Sequence, residues 1–498
     1  MQLPSGKRGN LVLTSFFVNH LLIALNMKIE QIYTNCLAEA AYYIESNGEV
    51  AIIDPLREAN PYIERALRDK AKIKYILETH FHADFVSGHV DLAKKTGATI
   101  VFGPSAAPAY PAHIAKDGEI LTLGKVKIKV LHTPGHTLES ATFLLTDEQG
   151  KDYAIFTGDT LFIGDVGRPD LVQKLKADVT PEILASQLFD SLRNKIMPLA
   201  DDVIVYPGHG AGSACGKKMD KETVSTLGHQ KKFNYALREE TSRQEFVREL
   251  LDGLVEPPQY FPANVLMNVH GSTGIDAILK QGLNGMDVAT FQAAWEQTDA
   301  LVIDTRSKEE VPHGYIPDSI FIGVDETFAP WVGTLVPNLL QPILIIADEG
   351  REEEVIVRLA RVGYDNPIGY LRGGIEAWRA AGHPLDTIWE LSAEEFAREA
   401  ATGNTINLLD VRRESEYHTE HIVGAENFPL DFINRNMSKL DPHKTYYLYC
   451  GGGYRSLIAA SMLKSRGFQH LYNIRGGYKA LRATSLPHTD KVEVNTEL

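Results

Sequence analysis

Histidine and aspartate recur in this chain within short strings that each follow an apolar run. THFHADFVSGH (79–89) carries His80, His82 and Asp84, LHTPGHT (131–137) carries His132 and His136, TGDT (157–160) carries Asp159, and YPGHG (206–210) carries His209. Neutral imidazoles and carboxylates are the side chains that donate lone pairs to a divalent metal, and clusters standing at the ends of strands can meet around one cavity. A lone histidine is more often a satisfied core or surface residue, a reading that four such clusters in register disfavour. A second chemistry stands near the other end of the chain. Cys450 opens CGGGYRS (450–456), directly after YYLY and ahead of a helix expected to start near Ser456. Backbone N–H groups in such a loop, a helix N-terminus and the nearby Arg455 suit an anionic sulfur, either thiolate or persulfide.

The elements that must position these groups are readable from the apolar pattern. Strands are expected at 50–53, 75–77, 100–102, 127–131, 154–156 and 203–206, alternating with helices, so the histidines fall at the C-terminal ends of strands. Layered α/β folds place their sites there, because loops converge while the sheet holds them rigid. Farther on the sequence repeats itself. LVIDTRSKEEVPHGYIPDSI from Leu301, ILIIADEG from Ile343 and YLRGGIEAW from Tyr370 form one copy; LLDVRRESEYHTEHIVGAENFPL from Leu408, YYLYCGGGYRS from Tyr446 and NIRGGYKAL from Asn473 form the next. Order and spacing agree, which predicts a small α/β module duplicated in tandem. Linkers are expected at 262–286 and 383–389. Aligning the Arg-Gly-Gly ends puts Ala347 at the cysteine position of the earlier copy, beside Glu349, Glu352, Glu353 and Glu354, whose charges repel an anionic sulfur donor. That copy is expected to be an inactive spacer or docking surface. Asp410 and Arg412 read as structural.

With 498 residues the chain is long enough for about three domains of roughly 150 residues each. Hydrophobic residues at 44% and charged residues at 23% give a globular balance, and a net charge of -15 argues against nucleic-acid or anionic-membrane partners. The three cysteines, Cys36, Cys215 and Cys450, form no CxxC pair, which leaves neither a disulfide framework nor a zinc knuckle and suits a reducing, cytoplasmic compartment. Residues 1–26 are expected to be a leader or non-structural extension, because Asn19 and His20 interrupt an apolar run too short to span a bilayer. A homo-oligomer is expected.

The histidine strings make residues 28–232 resemble the metallo-β-lactamase superfamily, whose HxHxDH motif is followed by His, Asp and His ligands. That resemblance implies an αββα sandwich over residues 27–265, followed by two rhodanese-like α/β domains at 284–385 and 388–486. Where binuclear relatives have a histidine after Asp84, this chain has Phe85, which has no lone pair to donate, so one metal per chain is expected. The segment TGDTLFIGDVGRPD (157–170) is similar to the signature of the persulfide dioxygenase branch. By that resemblance a single Fe(II), with Zn(II) as the alternative, is held by His80, His136 and Asp159. Two imidazoles and one carboxylate on one face are also the set that non-haem iron oxygenases use. His82, Asp84 and His209 are then expected behind the ligands, or as additional ligands. Arg168 matches a family position near the thiol carrier and is expected to pair with its anionic part or to form a surface salt bridge. Cys215, beside Lys217 and Lys218, is either a persulfide carrier activated by those charges or a plain buried thiol. Glutathione-using relatives have His-Asp-Tyr at the last motif, whereas here His209 is followed by Gly210 and Ala211, so coenzyme A, glutathione or another small thiol is expected to carry the persulfide.

The Cys450 loop and the LLDVRRESEYHTEHIVGA string resemble the rhodanese family, with Cys450 and Arg455 catalytic and Gly451, Gly452, Gly453, Tyr454 and Ser456 lining the substrate site. The resemblances together imply oxidation of a small thiol persulfide by dioxygen to sulfite, coupled to persulfide, sulfite and thiosulfate exchange at Cys450. The direction of exchange stays open. The rival readings are a zinc-dependent thioester hydrolase of the glyoxalase II type and a non-enzymatic sulfur-carrier or docking scaffold.

Overall fold

The computed structural model describes residues 27–171, 179–403 and 406–492, so the leader expected at 1–26 lies outside the described residues. Two six-stranded sheets lie face to face among the described residues of the N-terminal domain. One runs through Met27–Thr34, Glu39–Ser46, Glu49–Ile53, Lys72–Glu78, Thr99–Phe102 and His113–Ile114. The other runs through Ser225–Thr226, Ile204–Pro207, Asp152–Gly158, Ala141–Thr146, Val126–His132 and Ile120–Leu123. Tyr42, Ile44, Ala51 and Ile53 of the first sheet pack against Ile128, Val130, Phe143 and Phe156 of the second. The alternate residues Tyr43, Val50 and Ile52 face outward onto the helices Asn60–Arg68 and His89–Thr96. Ile155 and Val205 meet the helices Pro181–Ser191 and Arg243–Leu251 on the far side. Both faces of the central strands are therefore buried, which is why they read as unbroken apolar runs. Lys127 and Lys129 alternate outward on an outer strand and stay exposed.

Each repeat folds as a five-stranded parallel sheet of the same order. In the earlier copy the strands follow Gly285–Met286, Pro367–Leu371, Ile343–Ile346, Leu301–Asp304 and Ile320–Phe321; in the later one, Trp389–Leu391, Leu471–Ile474, Tyr446–Tyr449, Asn407–Asp410 and Glu426–Asn427. The acidic, Arg-bearing turns are structural in both. Arg306 clamps Asp304 and donates to Gly314 O, while Arg412 clamps Asp410 and donates to Glu420 O.

The stretch 262–286 is not the linker the composition suggests. It folds mostly into the helices Phe261–His270 and Ile275–Gly282, separated by Gly271 with φ +84, and ends in a strand of the next sheet. Scattered Gly and Asn mimic a linker there, but Phe261, Asn264 and Asn268 are buried by tertiary contacts. The domains are tied together rather than strung out. Arg57, 2% exposed, reaches from the first domain to Ala360 O, Thr273 O and Asp365, each at 2.8 Å. Arg361 returns the contact by pairing with Glu58. No helix among the described residues is long and apolar enough to cross a membrane.

Candidate metal centre and sulfur-transfer loop

His80 stands just past the end of Lys72–Glu78, Asp159 just past Asp152–Gly158, His209 just past Ile204–Pro207 and His136 on the loop after Val126–His132. The sheets bring these loops together: Ala141 N donates to Thr79 O (2.8 Å) and Gly208 N to Gly158 O (2.9 Å). Gly158 is needed here, because its φ is +48 and a Cβ would come within 2.4 Å of Thr79 Oγ1.

Thr79 Oγ1 donates to Asp54 (2.8 Å) and so accepts from His80 Nδ1 (2.9 Å), which leaves the His80 Nε2 lone pair facing the centre. Arg168 O does the same for His136, accepting from Nδ1 at 2.8 Å. The two Nε2 atoms lie 3.9 and 3.4 Å from Asp159 Oδ2, a buried oxygen with no hydrogen-bond partner in the structure. Burial, then the neighbouring His82, holds the His80 pKa well below the usual imidazole range, so the ring stays a neutral donor. Burial pushes Asp159 upward, but His209 and His136 outweigh it and keep the group below the usual carboxylate range. Donor atoms of His80, His136 and Asp159 all lie within 4.8 Å of one another, and the orphaned oxygen with two imidazole nitrogens fits a divalent metal.

The remaining groups sit behind this trio. His209 bridges Asp159 and Asp84, with Nδ1 2.8 Å from one carboxylate and Nε2 2.8 Å from the other. Burial lowers its pKa, but the two aspartates overcome that and raise it well above the usual range. His82 turns away toward Asp54 (3.1 Å) and Glu78 (3.7 Å). Phe85 is fully buried and lays its ring against His82, the centroids 4.3 Å apart.

One expectation needs correction, that for Arg168, and of the two readings of Cys215 the structure supports the plain buried thiol. Arg168 is neither a surface ion pair nor free to meet a thiol carrier. It is 1% exposed, its Nε and Nη2 each reach Asp170 at 2.6 Å, and it also donates to Ala214 O and Val255 O, so it braces the loop that orients His136. Cys215 is not activated by its lysines. Lys217 Nζ points to Glu249 O and Asp252 O, while burial, then Asp84 and Asp159, push the Cys215 thiol well above its usual range. Its sulfur nonetheless lies beside Asp84 and His209, on the wall of the centre.

Sequence reasoning missed two contributors. Asn268 donates to His82 O and Phe85 O, both at 2.8 Å, and accepts from Ser87 N at 2.9 Å, so the misread helix holds the histidine loop. Glu39 is buried next to His209 with neither carboxylate oxygen hydrogen-bonded, and burial raises it well above the usual carboxylate range. Its only sequence signal is an acid at the head of an apolar strand.

In the last module Cys450 follows Tyr446–Tyr449, and its Sγ accepts from Gly453 N at 3.1 Å with Ser456 Oγ 3.5 Å away. Arg455 is held by Glu416 at 2.5 and 2.8 Å. The Arg-Gly-Gly end explains itself here: Gly477 has φ +56, a Cβ on it would lie 2.2 Å from Cys450 O, and Tyr478 N donates to that same carbonyl. Ala347 follows Ile343–Ile346 as Cys450 follows its strand, so the earlier copy has no nucleophile at that position.

Comparison with known proteins agrees with this layout. Residues 34–209 match the metallo-beta-lactamase superfamily, and residues 287–381 and 392–484 each match the rhodanese-like domain. The hydroxyacylglutathione hydrolase GloC of Haemophilus influenzae is 33% identical over 195 residues, 35% of this chain and 86% of that protein. The mitochondrial persulfide dioxygenase ETHE1 of Homo sapiens is 29% identical over 231 residues, 45% of this chain and 82% of that protein. A crystal structure of a metallo-beta-lactamase from Staphylococcus aureus subsp. aureus COL superposes with a TM-score of 0.61 at 34% identity, covering 69% of this chain and 98% of that one. The chain thus belongs to the metallo-beta-lactamase superfamily, its metal-binding domain followed by two rhodanese-like domains.

Proposed function

We propose that the N-terminal domain is an Fe(II) persulfide dioxygenase and that Cys450 exchanges the product sulfite with persulfide and thiosulfate. The observation that carries this reading is the state of the second metal position. Phe85, which follows Asp84, offers no lone pair, and both ring nitrogens of His209 face carboxylates, which favours His80, His136 and Asp159 among the three donor groups whose atoms lie close enough to hold a metal. His80, His136 and Asp159 would hold a ferrous ion, which would supply the activation of dioxygen toward a persulfide sulfur. The protein's own part is orientation and exclusion of water. Thr79 and Arg168 O fix the two imidazoles, His209 fixes Asp159, and Phe85 and Phe162 are among the apolar side chains packed beside the centre. The net reaction takes R–S–S⁻, dioxygen and water to R–S⁻, sulfite and two protons; the outer sulfur loses four electrons and dioxygen gains them. The thiol carrier is of the glutathione or coenzyme A type.

A second reading, zinc-dependent thioester hydrolysis, draws on the GloC relative. One experiment separates them: metal analysis of protein purified without oxygen, then oxygen uptake with glutathione and coenzyme A persulfides. About one iron per chain is expected, with sulfite formed as oxygen is consumed and both lost in His80→Ala. Zinc with oxygen-independent thioester cleavage supports the hydrolase and sinks the dioxygenase.

A further inference from the structure

The Ser456 hydroxyl stands among three acceptors, and the Cys450 sulfur is the farthest of them. Ser456 Oγ lies 2.7 Å from Asn473 Oδ1, 3.1 Å from Gly453 O and 3.5 Å from Cys450 Sγ. A hydroxyl carries one proton; 2.7 Å to an amide oxygen is a full-strength contact, whereas sulfur is a weak acceptor. The amide is aimed from behind. Asn473 Nδ2 donates to Glu390 Oε1 at 2.9 Å, and a carboxylate only accepts, so Oδ1 is the end that faces Ser456. Ser456 is fully buried and Asn473 is 2% exposed, which shields the contact from solvent. The sulfur takes its backbone donor from Gly453 N at 3.1 Å.

The duplicated module serves as an internal control. It builds the same sheet order, yet equal spacing from the Arg-Gly-Gly ends puts Glu353 in the place of Ser456 and Tyr370 in that of Asn473. Glu390 pairs in register with Asn473, and Gly285 pairs in register with Tyr370. The copy with Ala347 in place of the cysteine thus lacks all three side chains and still folds, so they belong to the sulfur rather than to the sheet.

We propose that Asn473, aimed by Glu390, is a positioning residue of the Cys450 site: it takes the Ser456 proton and so withholds that hydroxyl from the sulfur. Each donor that stabilises a thiolate makes the thiol more acidic and the sulfur a weaker nucleophile, with a Brønsted slope of about 0.4–0.5. Withholding one donor keeps the Cys450 sulfur reactive toward the outer sulfur of thiosulfate or of a persulfide. That catalytic meaning rests on the sulfurtransfer reading of Cys450; the hydrogen-bond arrangement does not.

The test follows alkylation of Cys450 by neutral iodoacetamide across pH in the full chain, read on the Cys450 peptide by mass spectrometry. In Asn473→Leu the freed Ser456 proton turns to the sulfur. The pH midpoint of alkylation should then fall by about one unit, the size of a hydrogen bond to a charged group. The plateau rate above the midpoint should fall as well, by about two- to three-fold. Ser456→Ala, whatever its turnover, should keep the wild-type midpoint, and Ser456→Ala with Asn473→Leu should return to it, because Asn473 acts through that hydroxyl. Arg455 and its partner Glu416 stay in place in every variant, so the midpoint reports hydrogen bonding and not a changed charge. A midpoint unmoved or raised in Asn473→Leu, a midpoint raised in Ser456→Ala, or a fall that persists in the double variant overturns the proposal. A wild type inert toward thiosulfate sinks the sulfurtransfer reading, and the midpoints then decide the role of Asn473 by the same criteria.

Discussion

His209 shows how a residue behind the His80, His136 and Asp159 trio governs one of its members. It spans Asp84 and Asp159, and its substitution by Gln, which can reach Asp84 as Nε2 does but has nothing at the Nδ1 position, frees Asp159 to rotate. Loss of such a support commonly costs about 10- to 100-fold in metal affinity, so chelator competition should show a fall of that size in His209→Gln with the fold intact. Glu416 is the matching support for Arg455. Burial raises its pKa, but Arg455 outweighs that and holds it below the usual carboxylate range. A depressed carboxylate stabilises fully above its unfolded pKa and loses that contribution as pH falls through the folded value. The difference in melting temperature between wild type and Glu416→Gln should therefore be constant from neutral pH to about pH 5 and shrink only below about pH 4. A difference that vanishes near pH 6 rules this pairing out.

Elements carry the site as much as its ligands do. The helix Phe261–His270 delivers Asn268 to the loop that holds His80 and His82. Asn268→Ala strands two carbonyls and one N–H in a buried place, at about 1–3 kcal/mol, and should lower both the melting temperature and the metal retained after dialysis. The turn after Leu471–Ile474 is the counterpart at Cys450. Gly477→Ala puts a methyl group against Cys450 O at a positive φ, so sulfurtransfer should collapse while oxygen uptake continues. Equal loss of both activities would instead mean global unfolding. Strands were easy to foresee, since their apolar runs fall where the sheets lie. The helices at 261–282 were not, because their polar residues bury only against a distant loop.

At the scale of the molecule the domains share contacts that make them one stability problem. Arg57 loses Asp365, Ala360 O and Thr273 O together in Arg57→Met. Breaking a fully buried ion pair costs about 3–5 kcal/mol, and Asp365 keeps some solvent, so about 2–3 kcal/mol is expected. Calorimetry should show the lower melting temperature in the transition of the N-terminal domain and of the middle module alike; a shift in one alone counts against this coupling. The sequence by itself determined the three-part architecture, the Cys450 loop and the empty Ala347 position, because apolar periodicity, motif spacing and an internal repeat are all local signals, whereas the choice of His80, His136 and Asp159 among the histidines and aspartates drew on the family resemblance. Only the tertiary structure decided that Arg168 is a buried brace, that Cys215 is a shielded thiol beside the centre, and that Asn268 reaches the histidine loop from another part of the fold. The reason is physical: the direction of a long side chain and the solvation of a charge are set by neighbours hundreds of residues away in the chain, which no window of sequence contains.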